Sequence, residues 1–349
     1  MTPRENFLRA VRFERPDWIP VKFAINTACW HHYDQNALQD LMEDHSFLFP
    51  NFKRQEKITP NYGLNQRKDQ PYIDPWGCVW ETTDDGITGT VTKHPLADWR
   101  DFDDFQPPNP ENTNGISPVD WDKIKRQTEE KKNKGELIAG GLPHGHTFLR
   151  LQDIRGYENL IFDMLDEEPK LNRLIEMVED FNYEVIKKWL ELEPDMVSYP
   201  EDLGMQVGPM LSPDDFRKYI KPVYQRLMQP AREQGCIVHM HSDGDIRTLV
   251  DDLIDGGVDV INLQDLVNGI DWIGDKFAGQ TCVDLDVDRQ AVTAQGSPAQ
   301  IDSLIREEVE KIGSREGGLI FTYGLYPGTP LENVKAVMDA LERYATFYS

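Results

Sequence analysis

Cys236-Ile237-Val238-His239-Met240-His241-Ser242-Asp243-Gly244 decides how this chain is read. Side chains alternate across a β-strand, so Ile237, His239 and His241 share one face and Val238 and Met240 the other. The purely apolar face belongs against helices. The face with two imidazoles belongs where polar atoms find partners, with His241 nearer the carboxyl end of the strand. Asp243 then follows in the loop, before Gly244.

Similar short apolar runs recur on either side. They are Leu137-Ile138-Ala139, Met196 to Tyr199, Val258 to Leu263, Thr281 to Leu285 and Leu319 to Tyr323. Helix starts lie among them, each a capping residue followed by proline: Thr2-Pro3, Ser117-Pro118, Ser212-Pro213, Ser297-Pro298 and Thr329-Pro330. Strands alternating with helices imply a parallel sheet. With further strands at Pro20 to Ala24 and Thr88 to Thr92, the pattern predicts an α/β fold of the closed (β/α)8 or TIM-barrel type. An open doubly wound sheet is the alternative, but no GxGxxG follows the first strand. The 349 residues read as a single barrel domain, 1–349, with an N-terminal extension decorating the mouth. Residues 50–135 carry Asp74-Pro75-Trp76-Gly77 and Pro107-Pro108-Asn109-Pro110 and read as mostly irregular decoration.

Charge narrows the choice of partner. Lys plus Arg total 37 and Asp plus Glu total 61, for a net charge of −24. Such an acidic chain argues against nucleic acid, an anionic membrane or a polyanionic ligand. It is compatible with a homodimer. The four cysteines, Cys29, Cys78, Cys236 and Cys282, form no CxxC pair, which excludes a zinc ribbon and fits a reducing compartment. There is no apolar run of about 18 residues and no apolar core near the N-terminus, so a cytoplasmic location without a membrane partner is expected.

Active sites of parallel barrels lie at the carboxyl ends of the strands. His241-Ser242-Asp243-Gly244 at such an end can hold a divalent metal through nitrogen and oxygen, or a substrate hydroxyl. His239 reads either as a site residue or as a hydrogen-bonded core histidine. Glu201 and Asp202 end another strand and could supply a ligand or a general acid or base. Tyr323 and Tyr326 flank Gly324 at the last strand end, and Asp284 and Asp286 end the one before. Gly140-Gly141 would permit close approach of a ligand near His144 and His146. Trp30, followed by His31, His32 and Tyr33, could wall a pocket of aromatic size, as could Trp76 and Trp80.

Several of these stretches together resemble the uroporphyrinogen decarboxylase superfamily. They are Thr2-Pro3-Arg4-Glu5-Asn6, Arg15-Pro16-Asp17, Arg155-Gly156-Tyr157-Glu158-Asn159-Leu160, Glu201-Asp202-Leu203-Gly204, Leu211-Ser212-Pro213, His241-Ser242-Asp243-Gly244-Asp245 and Pro327-Gly328-Thr329-Pro330. The resemblance implies a (β/α)8 barrel. The superfamily's decarboxylases bind a polycarboxylate macrocycle with an arginine-rich Arg-Gln-Ala-Gly-Arg-Tyr segment, whereas Phe23 to Tyr33 here contains no arginine. The chain is closer in type to the cobalamin-dependent methyltransferase branch, whose coenzyme M enzymes hold zinc with His-x-Cys and a distant Cys. The corresponding positions here are His241-Ser242-Asp243 and Tyr323.

Harder oxygen donors would leave zinc more electron-poor, suited to polarising an ether oxygen. The expectation is a methyltransferase that demethylates a methoxylated substrate, aromatic or otherwise, onto a Co(I) corrinoid carried by a partner protein. Glu201, His241 and Tyr323 are the expected catalytic residues. His241, Asp243 and Glu201 are the expected zinc ligands. Trp30, His144, His146, Asp202, His239 and Tyr326 are expected to contact substrate. A lyase acting on a carboxylated substrate, served by Arg150 and Arg155, is one alternative, and a non-catalytic ligand-binding barrel is another.

Overall fold

The computed structural model describes residues 1–349. Seven parallel strands form its main sheet: β1 (Val21–Ile25), β2 (Ala139–Gly141), β3 (Met196–Asp202), β4 (Ile237–Asp243), β5 (Val260–Gln264), β6 (Cys282–Asp286) and β7 (Leu319–Leu325). Their order is β1-β7-β6-β5-β4-β3-β2. The sheet thus has one strand fewer than the eight expected. The segment read as the eighth, Thr88 to Thr92, contributes Thr90–Lys93 to a separate antiparallel sheet with Tyr72–Ile73 and Val79–Glu81. Thr90, Thr92 and Lys93 are exposed, so this strand lacks the two apolar faces of a buried parallel strand. No helix is long and apolar enough to cross a membrane.

The chain divides into two compact units. The first comprises Met1–Lys68, Thr82–Thr88 and Ile261–Ser349. In it β7 pairs with both β1 (Val21 beside Phe321) and β6 (Val283 beside Leu319). Helices Pro298–Ile312 and Leu331–Ala345 bury Ile301, Ile305, Val309 and Val334, Val337, Met338, Leu341 at helical spacing. The second unit comprises Asp69–Glu81 and Gly89–Val260 and holds β2, β3 and β4. There Met196 of β3 lies beside Ala139 of β2 and Ile237 of β4. Helices Pro169–Leu190 and Lys221–Glu233 bury Leu174, Val178, Val185 and Val223, Leu227.

Most of the expected caps form. Thr2 Oγ1 accepts from the Glu5 amide at 3.2 Å, Ser212 Oγ accepts from that of Asp215 at 3.0 Å, and Ser297 forms a reciprocal capping box with Gln300. Thr329-Pro330 gives no side-chain cap, Pro330 itself preceding helix Leu331–Ala345, and Ser117-Pro118 starts no helix, because Pro118 bridges to Thr113. The helix there starts at Trp121, capped by Asp120, which accepts from the Lys123 amide at 2.9 Å. A carboxylate three residues on outcompeted the serine.

One buried acid in the first unit carries a stability signature. Both oxygens of fully buried Glu308 lack an N–H or O–H partner, while Asp265 accepts from the Leu266 and Asp288 amides. A proton on Glu308 is what allows it to face Asp265. Burial raises the Glu308 pKa well above 4.5, and the Asp265 charge adds to the effect. The folded state therefore holds more protons than the unfolded chain above about pH 4.5, and stability falls as pH rises through that window. Glu308→Gln removes this penalty. It is expected to raise the melting temperature at neutral pH by on the order of 2 °C and to flatten that slope, measured by calorimetry across pH 4 to 8.

Candidate functional site

The alternation read from the sequence holds in β4, where Val238, Met240 and Ser242 are buried while His239, His241 and Asp243 are partly exposed. In β3 the same alternation buries Val197, Tyr199 and Glu201 and leaves Ser198, Pro200 and Asp202 partly exposed. Parallel register sets Pro200 beside His241 and Asp202 beside Asp243. Behind them the two strands leave through touching backbones. A Cβ on Gly244 (φ +81) would lie 2.1 Å from the Gly204 carbonyl carbon, and the Asp245 amide donates to the Met205 carbonyl at 2.7 Å. Side chains at either glycine would force the strand ends apart.

Asp202 is the hub. Its Oδ1 accepts from His144 Nε2 at 3.1 Å and from the Asp243 amide at 3.2 Å, and it lies 3.5 Å from His241 Nε2. The rings of His144 and His241 are 5.6 Å apart, and the ligand atoms of all three residues lie within 4.8 Å of one another. Burial raises the Asp202 pKa, but hydrogen bonds with the two imidazoles outweigh it and hold the carboxyl well below the usual range. Burial lowers that of His144, but Asp202 outweighs it and the imidazole ends above its ordinary value. The result is an ionised carboxylate between two imidazoles.

This donor set fits a borderline divalent ion such as zinc, with nitrogen, oxygen and nitrogen ligands. Thiolates are not available to it. Cys29, Cys78 and Cys236 are buried thiols that donate to the carbonyls of Leu325, Asp153 and Pro194. Burial raises all four cysteine pKa values, that of Cys29 to about 12.

The structure corrects Glu201 as a ligand or acid. Its carboxylate is fully buried and accepts from the amides of Thr147 (3.1 Å), Phe148 (2.8 Å) and Leu149 (3.1 Å) and from the Tyr224 hydroxyl (2.8 Å). It satisfies the first turn of helix Phe148–Arg155, a natural place for an anion. Asp202 and His144, expected to contact substrate, instead stand beside His241 where Glu201 was expected. Applying strand alternation to Val197 and Tyr199 as well as to His239 and His241 would have separated the two acids.

The other expected residues fall in varied places. His146 is buried as a substrate contact cannot be, its Nδ1 paired with Thr147 Oγ1 at 2.7 Å and its ring against Tyr199 and Tyr224. His239 Nδ1 pairs with Ser198 Oγ at 3.3 Å. Asp243 stays half-exposed, with Oδ1 3.7 Å from His241 Nε2. Tyr323 lies in the first unit, fully buried against Phe23, with its hydroxyl 3.4 Å from Thr293 Oγ1; a phenol so enclosed does not reach solvent-borne substrate. Tyr326 is exposed under the Arg289 guanidinium, and Trp30 is half-buried in helix Cys29–His32. Gly140 and Gly141 admit protein rather than ligand, because a Cβ would lie 2.1 Å from the Trp189 ring or from the Ser198 carbonyl oxygen. Arg150 is buried against Asp74 (2.7 Å) and Asp153 (3.7 Å). Arg155 is committed to Asp163 (2.7 Å) and the carbonyls of Leu96 and Ala97.

These placements separate two adjacent acids by experiment. Glu201→Gln turns an amide toward buried donors and is expected to destabilise the fold by about 2 kcal/mol in urea unfolding. Asp202→Asn is expected to change stability by less than half of that, while zinc affinity measured by titration falls at least about tenfold.

Comparison with known proteins places the chain. Residues 76–344 match the family model described as uroporphyrinogen decarboxylase (URO-D). Uroporphyrinogen decarboxylases from two strains of Thermus thermophilus are each 30% identical over 214 residues, which is 60% of this chain. The chain spans 56% of the length of these curated relatives. A methyltransferase from Methanosarcina mazei matches over 100% of both chains with a TM-score of 0.65 at 18% identity, a likeness of fold. A B12-independent methionine synthase from Shewanella sp. W3-18-1 is more distant, with a TM-score of 0.44 and 13% identity over 67% of this chain and 69% of its own. With most of its length covered by the family model, the chain belongs to the uroporphyrinogen decarboxylase family.

Proposed function

We propose that this chain is a corrinoid-dependent methyltransferase that removes an oxygen-bound methyl group from a small methoxylated substrate, with aromatic ethers the first class to try. The observation that carries the reading is the His144–Asp202–His241 donor set, built without any thiolate. A divalent ion held there supplies Lewis acidity toward an ether oxygen. His144, Asp202 and His241 are its ligands, and Asp243 stands close enough to His241 to act as a further donor or proton acceptor. Before an ion binds, Asp202 gathers both imidazoles, and Glu201 fixes the turn that delivers His144. A reduced corrinoid carried by a partner protein would supply the nucleophile that accepts the methyl group, and the site would stabilise the departing oxygen anion.

A carboxy-lyase is the second reading, favoured by the names of the curated relatives. The buried ion pairs of Arg150 and Arg155 count against it, because neither guanidinium is free for a substrate carboxylate.

The test combines reduced corrinoid protein with methoxylated aromatic substrates and monitors the corrinoid spectrum. Methylation of the corrinoid is expected, lost on chelation and reduced by on the order of 100-fold in His241→Ala. Release of carbon dioxide from a carboxylated substrate, with no methyl transfer under any of these conditions, would overturn the reading.

A further inference from the structure

Another set of metal-ligating side chains converges in the first unit. His31 and His32 are consecutive in the helix Cys29–His32, and Asp84 lies in the segment Thr82–Thr88. His31 Nε2 is 3.2 Å from Asp84 Oδ1, and His32 Nε2 is 2.6 Å from Asp84 Oδ2. The ligand atoms of the three residues lie within 4.8 Å of one another. We propose that His31, His32 and Asp84 form a second divalent transition-metal site, separate from the His144–Asp202–His241 centre and not required for the function proposed above.

Three features support this. The Tyr62 hydroxyl pairs with His31 Nδ1 at 3.0 Å, which fixes the ring with Nε2 toward Asp84, as the outer partner of a metal-bound imidazole does. The two rings are already gathered, with centroids 4.5 Å apart, so little side-chain freedom is left to lose on binding. The site is open, with side-chain exposures of 36%, 41% and 37% for His31, His32 and Asp84, so a hydrated ion can enter and keep its remaining waters. Ligand bonds of about 2.0–2.1 Å around a tetrahedral ion set donors about 3.3 Å apart. The His31–Asp84 pair already stands near that spacing, and a small rotation of Asp84 away from His32 brings the second pair to it. Two imidazoles and one carboxylate select zinc, nickel, copper or cobalt over magnesium or calcium.

The test uses the full chain stripped with a chelator and titrated with zinc by calorimetry, and with cobalt by visible absorption. Wild type is expected to bind two equivalents. The His31→Ala/His32→Ala double variant should bind one, and His241→Ala should bind one at the other centre. Asp84→Asn, which keeps the shape, should weaken the second site at least tenfold, and millimolar magnesium should not displace the zinc. Circular dichroism and melting temperature confirm that the variants fold. Wild-type stoichiometry and affinity in the double variant overturn this proposal and leave the His241 centre standing. Loss of an equivalent in the double variant but not in His241→Ala upholds this site and counts against the other.

Discussion

One carboxylate oxygen, Asp202 Oδ1, sets the arrangement of the candidate centre. It takes hydrogen bonds from the His144 ring and the Asp243 backbone and lies within reach of His241, so a loop and two strand ends meet at one atom. An anion in that place keeps its charge because two imidazoles offset the cost of its partial burial. Without it, two rings 5.6 Å apart would have no common partner.

The neighbouring acid does the opposite work. Glu201 and Asp202 are one peptide apart, yet a strand sends successive side chains to opposite faces. Glu201 is turned inward and gathers three amides and a phenol at the start of helix Phe148–Arg155. That helix start follows directly on His144-Gly145-His146, so the buried carboxylate fixes the backbone that presents the exposed imidazole. Structure and chemistry are divided between two residues that composition alone would treat as interchangeable.

This also marks what the sequence could and could not convey. Each of the seven parallel strands overlaps an apolar run of the sequence, although Leu137-Ile138-Ala139 shares only Ala139 with its strand, Ala139–Gly141, where glycines carry no apolar signal. The strand ending in His241 and Asp243 was legible down to which side chains face which way. Thr90–Lys93 was not, since a short polar strand carries no sign of which sheet it joins. His144 lies in a glycine-rich loop, where no periodicity constrains direction, and its pairing with Asp202 spans 58 residues. The commitment of Arg150 to Asp74 spans 76 residues and is equally invisible to local pattern. Contacts of that kind are set by the fold and become visible only with it.

The backbone seam at Gly204 and Gly244 has a practical consequence for anyone redesigning this part of the chain. Insertions on either side of the seam would pry apart the two strands that carry Asp202 and Asp243. The tip of the short hairpin that follows is different, because Val207 there is 92% exposed. Diversity introduced at that point, between the paired ends Gly204–Met205 and Gly208–Pro209, leaves the seam intact. Sequence change is best tolerated at that tip, with the glycines held constant.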